Sequence, residues 1–229
     1  MSIARFREIL REGEVVLSAW AGLGDPVVHE TLLEAFDVLT LDVQHGLQGI
    51  EEIREGCARA VGKGKPALVR VPVGDLAMAG RVLDFGASGV ILPMVNSAAE
   101  ASHFARSLLY PPKGTRSFGP ARALSLFGGV AAERYISDAN DSVISLAMIE
   151  TAGPMARSTR FSPFPNSAAC SSVRPISRWR SVGASTPTAR RRTRPPTRSA
   201  ARRRLQRRSA PSMRPTRRTL GAIVPWATT

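Results

Sequence analysis

Three apolar runs in this chain end on polar side chains of the kinds that carry chemistry. Thr40-Leu41-Asp42-Val43-Gln44-His45-Gly46 delivers a carboxylate and an imidazole three residues apart, with a glycine where the chain turns away. A carboxylate near an imidazole can fix its tautomer and raise its basicity, which is what a general base needs. A structural histidine at a strand end is the other reading of His45. Arg70 sits inside Ala67-Leu68-Val69-Arg70-Val71-Pro72, where an unpaired guanidinium would cost several kcal/mol. Its partner is either a structural carboxylate or a bound carboxylate substrate, and the two-pronged arginine suits both. Glu150 closes the run from Ile144 to Ile149 and offers an oxygen suited to a hard cation such as Mg²⁺ or Mn²⁺, although one carboxylate rarely suffices. His29 and His103 fall inside amphipathic helical patterns and read as packing or surface residues.

These strand ends need a scaffold that sets them in one layer. Ser2 can cap a first helix with Ile3, Phe6, Ile9 and Leu10 on its apolar face, ended by Gly13. Strand 1 is expected over Val15–Ala19. Asp25-Pro26 opens a helix with a capping side chain followed by proline at its first position. Strand 2 follows from about Val38 to Val43, a helix over Ile50–Val61, strand 3 over Ala67–Val71, and a helix capped by Asp75. Strand 4 is expected over Gly89–Met94, and Ser97-Ala98-Ala99-Glu100 is a capping box for the next helix. A loop rich in Pro and Gly spans Tyr110–Ala123, then come a helix near Val130–Ile136 and strand 5 over Val143–Ile149. The strands are continuous rather than alternating apolar runs, as in a parallel sheet covered by helices on both faces. Alternation of strand and helix fits a (β/α)₈ barrel or a doubly wound sheet. No Gly-x-Gly-x-x-Gly turn follows strand 1, and polar residues at the C-terminal strand ends suit the barrel, which is the expected fold.

The formal net charge of +14 over 229 residues would by itself suggest a nucleic-acid or anionic-membrane partner. It is an average over two unlike parts. Residues 1–150 hold 14 Lys and Arg against 18 Asp and Glu, a net of −4, whereas residues 151–229 hold 18 Arg and no Lys, Asp or Glu. Cys57 and Cys170 show no metal-ligand or redox spacing and read as reduced thiols. No apolar stretch fits a signal peptide or a membrane span, so a cytoplasmic location without a membrane partner is expected.

Several segments, taken in order, resemble the HpcH/HpaI aldolase family of metal-dependent class II pyruvate aldolases. They are Asp42-Val43-Gln44-His45-Gly46, Val69-Arg70-Val71-Pro72, Leu83-Asp84-Phe85-Gly86-Ala87 running into Val90-Ile91-Leu92-Pro93-Met94-Val95, Tyr110-Pro111-Pro112-Lys113-Gly114-Thr115-Arg116, and Ile149-Glu150-Thr151. The resemblance covers residues 1–151. It implies a (β/α)₈ barrel that cleaves a 4-hydroxy-2-oxo acid into pyruvate and an aldehyde, or joins them, with Mg²⁺ or Mn²⁺ stabilising the enolate. By the same resemblance His45, oriented by Asp42, takes part in proton transfer, Arg70 holds the pyruvate oxygens, and Glu150 is one metal ligand. Asp84 would face the neighbouring subunit's site in a homo-oligomer. Met148 stands where many members carry Gln, which puts one substrate contact in doubt. A citrate-lyase or malyl-CoA type of lyase is the nearest alternative, and the His45-Gly46 strand end favours the pyruvate aldolases.

The resemblance implies a second metal-binding Asp in a Gly-Pro-Ala/Ser-Asp turn beyond residue 151, and this chain has none. The barrel is therefore expected to stop after about strand 5, with residues 157–229 a disordered Arg-, Ser- and Pro-rich tail too poor in apolar surface to fold. Writing residues 157–182 in GC-rich codons and taking the third base of each codon with the first two of the next yields Val-Asp-Ala-Ile-Leu-Ala-Val-Pro-Glu-Leu-Gly-Gly-Val-Phe-Val-Gly-Pro-Ala-Asp-Leu-Ala-Leu-Ala-Leu-Gly. This is a segment of the kind the family carries, with its Asp arising across Pro175 and Ile176. The expectation is a frameshift just upstream of Arg157 that leaves the product impaired and with an exposed sheet edge. The competing reading takes Arg190-Arg191-Arg192 and Arg202-Arg203-Arg204 as a nucleic-acid-binding arm. Absence of Lys and near absence of interleaved aromatics, with Trp179 and Trp226 too isolated to form a stacking platform, argue against a selected arm and leave adventitious binding.

Overall fold

In the computed structural model six strands pair in parallel and in strict sequence order, β1 to β6. The structure describes residues 15–151, with Phe6, Arg7 and Leu10 in helical conformation before them and the backbone of Ser167–Cys170 after them. The strands are β1 (Ser18–Ala21), β2 (Val38–Asp42), β3 (Ala67–Arg70), β4 (Gly89–Leu92), β5 (Ile144–Met148) and β6 (Ser167–Cys170). The connecting helices are α1 (Pro26–Ala35), α2 (Ile50–Gly62) and α3 (Leu76–Asp84), and α4 (Ala98–Ser107), α5 (Ala121–Leu126) and α6 (Ala132–Ser142) together link β4 to β5. A doubly wound sheet would reverse its strand order at a switch point. The order here never reverses, so the chain forms the first part of a (β/α)₈ barrel wall.

Alternation along each strand divides the buried side chains into two layers. Ala19, Leu39, Leu41, Ala67, Val69, Val90, Leu92 and Ala147 face outward, and the helices cover them with Leu33, Ile53, Cys57, Ala79, Val82, Leu83 and Phe104. Val38, Leu68, Ile91, Ile144, Leu146 and Met148 form a separate inner cluster with Phe6 and Val16. Burial on both faces explains the uninterrupted apolar runs, and every residue of β2, β4 and β5 is buried. The helix starts follow their capping residues. Asp25 Oδ1 accepts the Val27 and Val28 N–H groups at 2.7 and 3.2 Å, and Asp75 Oδ1 accepts the Met78 N–H at 2.9 Å. Ser97 Oγ accepts the Glu100 N–H at 3.1 Å, while the Glu100 carboxylate reaches back to the N–H of Asn96, one residue before the cap.

Three sequence expectations need correction. Strand 1 is Ser18–Ala21 rather than Val15–Ala19, because pairing with β2 starts at Ser18↔Val38. Leu17 is instead tied to the turn before β2, its N–H donating to Asp37 Oδ2 at 2.9 Å and its carbonyl accepting the Asp37 and Val38 N–H groups. The stretch Tyr110–Ala123 gives way at Ala121 to the six-residue helix α5, and the next helix is Ala132–Ser142 rather than Val130–Ile136. The sheet also runs one strand further than expected. Ser145↔Ser167 to Met148↔Cys170 pair in parallel, so a short uncharged run satisfies the backbone groups of β5 that would otherwise form an edge. Apart from those four residues, the expected tail lies outside the described residues, as does Gly13 at the end of the first helix.

Candidate active site

Asp42 and Arg70 are Cα partners in the β2–β3 register, so their side chains project side by side into the barrel mouth. Arg70 Nε donates to Asp42 Oδ1 at 2.9 Å and Nη2 to Oδ2 at 2.6 Å, a two-pronged pair with side chains only 13% and 6% exposed. Within the chain, Arg70 thus has a carboxylate partner in Asp42. The same carboxylate accepts the backbone N–H groups of Gln44 and His45 at 3.1 and 3.2 Å, and the Trp20 indole Nε1–H at 3.2 Å. Burial works to raise the Asp42 pKa, yet the hydrogen bonds from Arg70, Trp20 and His45 outweigh it and hold the carboxyl below its ordinary value.

His45 is exposed, and Asp42 grips it by its backbone rather than its ring. Orientation of His45 by Asp42 is therefore indirect: the carboxylate fixes the Val43–Gly46 turn, and the turn places the imidazole. Gly46 is the residue that permits this turn, because a Cβ there would lie 2.1 Å from the Asp42 carbonyl oxygen. Gln48 ties the same turn to β1 and β2, its Nε2 donating to the carbonyls of Ala21 and Asp42 at 2.8 and 3.1 Å. His29 has the packing role expected of it. It is fully buried, its Nε2 lies 2.9 Å from the Leu23 carbonyl, and burial is the main reason its pKa is lowered. His103 is exposed on α4. Cys57 is buried, and its thiol is pushed up to about 12 by desolvation, so it is chemically quiet.

Glu150 follows β5 and is held through Oε2, which accepts the Met94 N–H at 2.9 Å. Met94 adopts φ 57°, a left-handed backbone conformation that methionine seldom takes, and this conformation aims its N–H at the carboxylate. Oε1 accepts no hydrogen bond among the described residues. Among the described residues, however, no group of three or more His, Cys, Asp or Glu side chains could hold a metal ion. Among the described residues the donor set therefore falls short of a metal site. Met148 is buried in the inner apolar cluster beneath this layer. Asp84, at the end of α3, pairs with Arg116 Nη2 at 2.6 Å. It lines a cavity of about 440 Å³ with Gly80, Arg81, His103 and Thr115 on the helical side of the sheet. The structure thus joins Asp42 to Arg70 and to the His45 turn, and places Glu150 at a further strand end. It adds Trp20, Gln48, Met94 and Arg116, which the sequence reading did not single out as site residues. Trp20 had a visible signal, since the apolar run of strand 1 continues past Ala19 to Ala21.

Comparison with known proteins bears on the same residues. The family model described as HpcH/HpaI aldolase/citrate lyase matches residues 20–157. This chain belongs to that family. It is 36% identical over 148 residues to a hydroxypyruvate/pyruvate aldolase of Roseovarius nubinhibens, covering 64% of this chain and 57% of that protein. It is 40% identical over 150 residues to a 4-hydroxy-2-oxovalerate aldolase of Novosphingobium aromaticivorans, covering 64% and 56%. A solved HpcH/HpaI aldolase from Desulfitobacterium hafniense superposes with a TM-score of 0.63 at 28% identity, over 68% of this chain and 60% of that one. The chain spans little more than half the length of these curated relatives. The family match covers Asp42, His45, Arg70, Asp84, Met148 and Glu150 and reaches only the first residues of the Arg-rich part.

Proposed function

We propose that this family member carries half of an aldolase site, built to cleave a 4-hydroxy-2-oxo acid into pyruvate and an aldehyde with the help of Mg²⁺ or Mn²⁺. The observation that carries the reading is the Asp42–Arg70 pair at the mouth of the barrel, within the segment shared with proteins named as pyruvate-related aldolases. Arg70 keeps Nη1 free of hydrogen bonds among the described residues and can present it to the oxygens of a bound 2-oxo acid, where negative charge grows as a carbon–carbon bond breaks. His45, exposed at the adjacent turn, is placed to exchange a proton with the substrate hydroxyl. Glu150 gives the cation one ligand, and no step is assigned to the metal because its ligand set is incomplete here. Asp84 with its Arg116 partner would sit against the site of a second subunit in a homo-oligomer.

On this reading the chain is impaired as it stands. Residues 151–229 contain no carboxylate to serve as a second metal ligand, and a frameshift just upstream of codon 157 accounts for that. Nucleic-acid binding by the Arg-rich stretch is adventitious in this view. The support for a soluble enzyme is the family alone; among the described residues no helix is long and apolar enough to cross a membrane.

Pyruvate release from a 4-hydroxy-2-oxo acid, coupled to lactate dehydrogenase, tests the proposal on this chain and on a frame-restored version. Slow or undetectable release is expected from the chain as it stands. Robust release is expected from the restored version, abolished by EDTA and reduced at least 100-fold by Arg70→Ala. A restored enzyme indifferent to EDTA or to Arg70→Ala would overturn it.

A further inference from the structure

Trp20 stands half in solvent, 47% exposed, at the mouth of the barrel wall, and it packs into neither apolar cluster. Its recorded partners are polar. The indole Nε1–H donates to Asp42 Oδ2 at 3.2 Å, and the Arg70 guanidinium carbon lies 4.9 Å from the ring centroid. A two-pronged carboxylate–guanidinium pair is planar, so its two bonds fix rotation within that plane but leave the pair free to tilt as a unit. Contact with an aromatic face removes the tilt, and the indole hydrogen bond pins the carboxylate end. β1 supplies this restraint from the strand next to β2, because Trp20↔Thr40 pair in register two residues before Asp42. Arg70 is thus held by β2 from one side and by β1 from above.

We propose that Trp20 is a positioning residue: its ring face and indole N–H hold the Asp42–Arg70 pair in the orientation that turns the remaining Arg70 N–H groups toward a 2-oxo acid. This rests on the aldolase reading for the identity of the ligand, while the restraint itself rests on the geometry alone. The half-exposed side chain makes the test clean, since replacing it opens no core cavity.

The test uses the full chain with Trp20→Phe, which keeps a ring face and loses the N–H, and Trp20→Leu, which loses both. Asp42 is titrated by carbon NMR of Asp-labelled protein, with its resonance assigned by Asp42→Asn. Arg70 from β3, Trp20 from β1 and the backbone at Gln44 and His45 are the groups that face that carboxylate. Trp20→Phe should move the Asp42 midpoint upward by about half a pH unit, since a hydrogen bond to the charged form is lost. In parallel, deuterium exchange of the pyruvate methyl protons is followed with Mn²⁺ in D₂O. Trp20→Leu should raise KM for pyruvate about tenfold with a smaller change in kcat, Trp20→Phe should fall between it and the parent, and melting temperatures should agree within a few degrees. If the parent shows no exchange, the impairment proposed for this chain accounts for it, and the carboxyl titration alone decides the restraint. An Asp42 midpoint unmoved in both variants, or a KM that changes only in step with a lowered melting temperature, would overturn the proposal.

Discussion

Five N–H groups converge on one carboxylate at Asp42, two from Arg70 and one each from Trp20, Gln44 and His45. Such a group stabilises the fold only while ionised. Its folded-state pKa lies below the ordinary value, so its contribution is complete above the unfolded pKa of about 3.9 and is lost as pH falls through the lower folded value. Asp42→Asn leaves Arg70 buried with half a partner and should cost about 3 kcal/mol at pH 7. Urea denaturation at pH 7 and again near pH 2.5 should show this gap narrowing in acid, because the parent loses there what the variant never had; a gap that widens would contradict the assignment. Met94 offers a second test at this scale. At φ 57° a methionine is strained by about 1 kcal/mol, so Met94→Gly should hold or raise stability by up to ~1 kcal/mol, offset in part by glycine's larger unfolded-state entropy. Met94→Ala keeps the strain and should bring no such gain.

Each element places its chemical group through a local device. The Val43–Gly46 turn exists because residue 46 lacks a side chain. Gly46→Ala would drive a Cβ to 2.1 Å from the Asp42 carbonyl oxygen; backbone atoms must shift, at a cost of about 2 kcal/mol or more, and the Asp42 carbon resonance should move with them. At α1 the Asp25 carboxylate satisfies two backbone donors, and Asp25→Ala should lower stability by about 1 kcal/mol in denaturant titration, without changing the dependence on Arg70. These devices were largely legible in the sequence. Asp25-Pro26, Asp75, Ser97 and the glycine after His45 are local signals, and a local signal survives folding. Continuous apolar strands and polar strand ends likewise led to the barrel. What escaped depended on register. Trp20 belongs to the site because β1 begins at Ser18 opposite Val38, and no property of residues 15–21 alone sets that offset. Arg70 carried two possible partners until pairing put Asp42 beside it, and the Asp84–Arg116 pair joins residues that only tertiary packing brings together.

At the scale of the molecule, six parallel strands in sequence order make an arc rather than a closed wall, since β1 and β6 are not paired to each other among the described residues. A (β/α)₈ barrel removes its edges by pairing the last strand with the first, a pairing not found among the described residues. The charge division falls at nearly the same place as the break in the family match. All 18 acidic residues precede residue 151 and the family model ends at residue 157. A lineage adapting a tail to bind phosphate would be expected to draw on Lys as well as Arg, whereas GC-rich codons read in a wrong frame favour Arg, Pro, Ser and Ala over Lys. On the proposed reading, a shift of frame accounts both for this composition and for the lack of any carboxylate beyond residue 150. Sequencing the locus across codons 140–185 should show one base gained or lost just upstream of codon 157 relative to a continuous aldolase frame. Restoring that base should give a product that melts cooperatively and stays at one sedimentation coefficient as concentration rises, while the present chain should associate through its edges with increasing concentration. An intact frame whose codons do not regenerate the Gly-Pro-Ala-Asp segment would sink the frameshift. Concentration-independent sedimentation of the present chain would show that its edges are protected some other way.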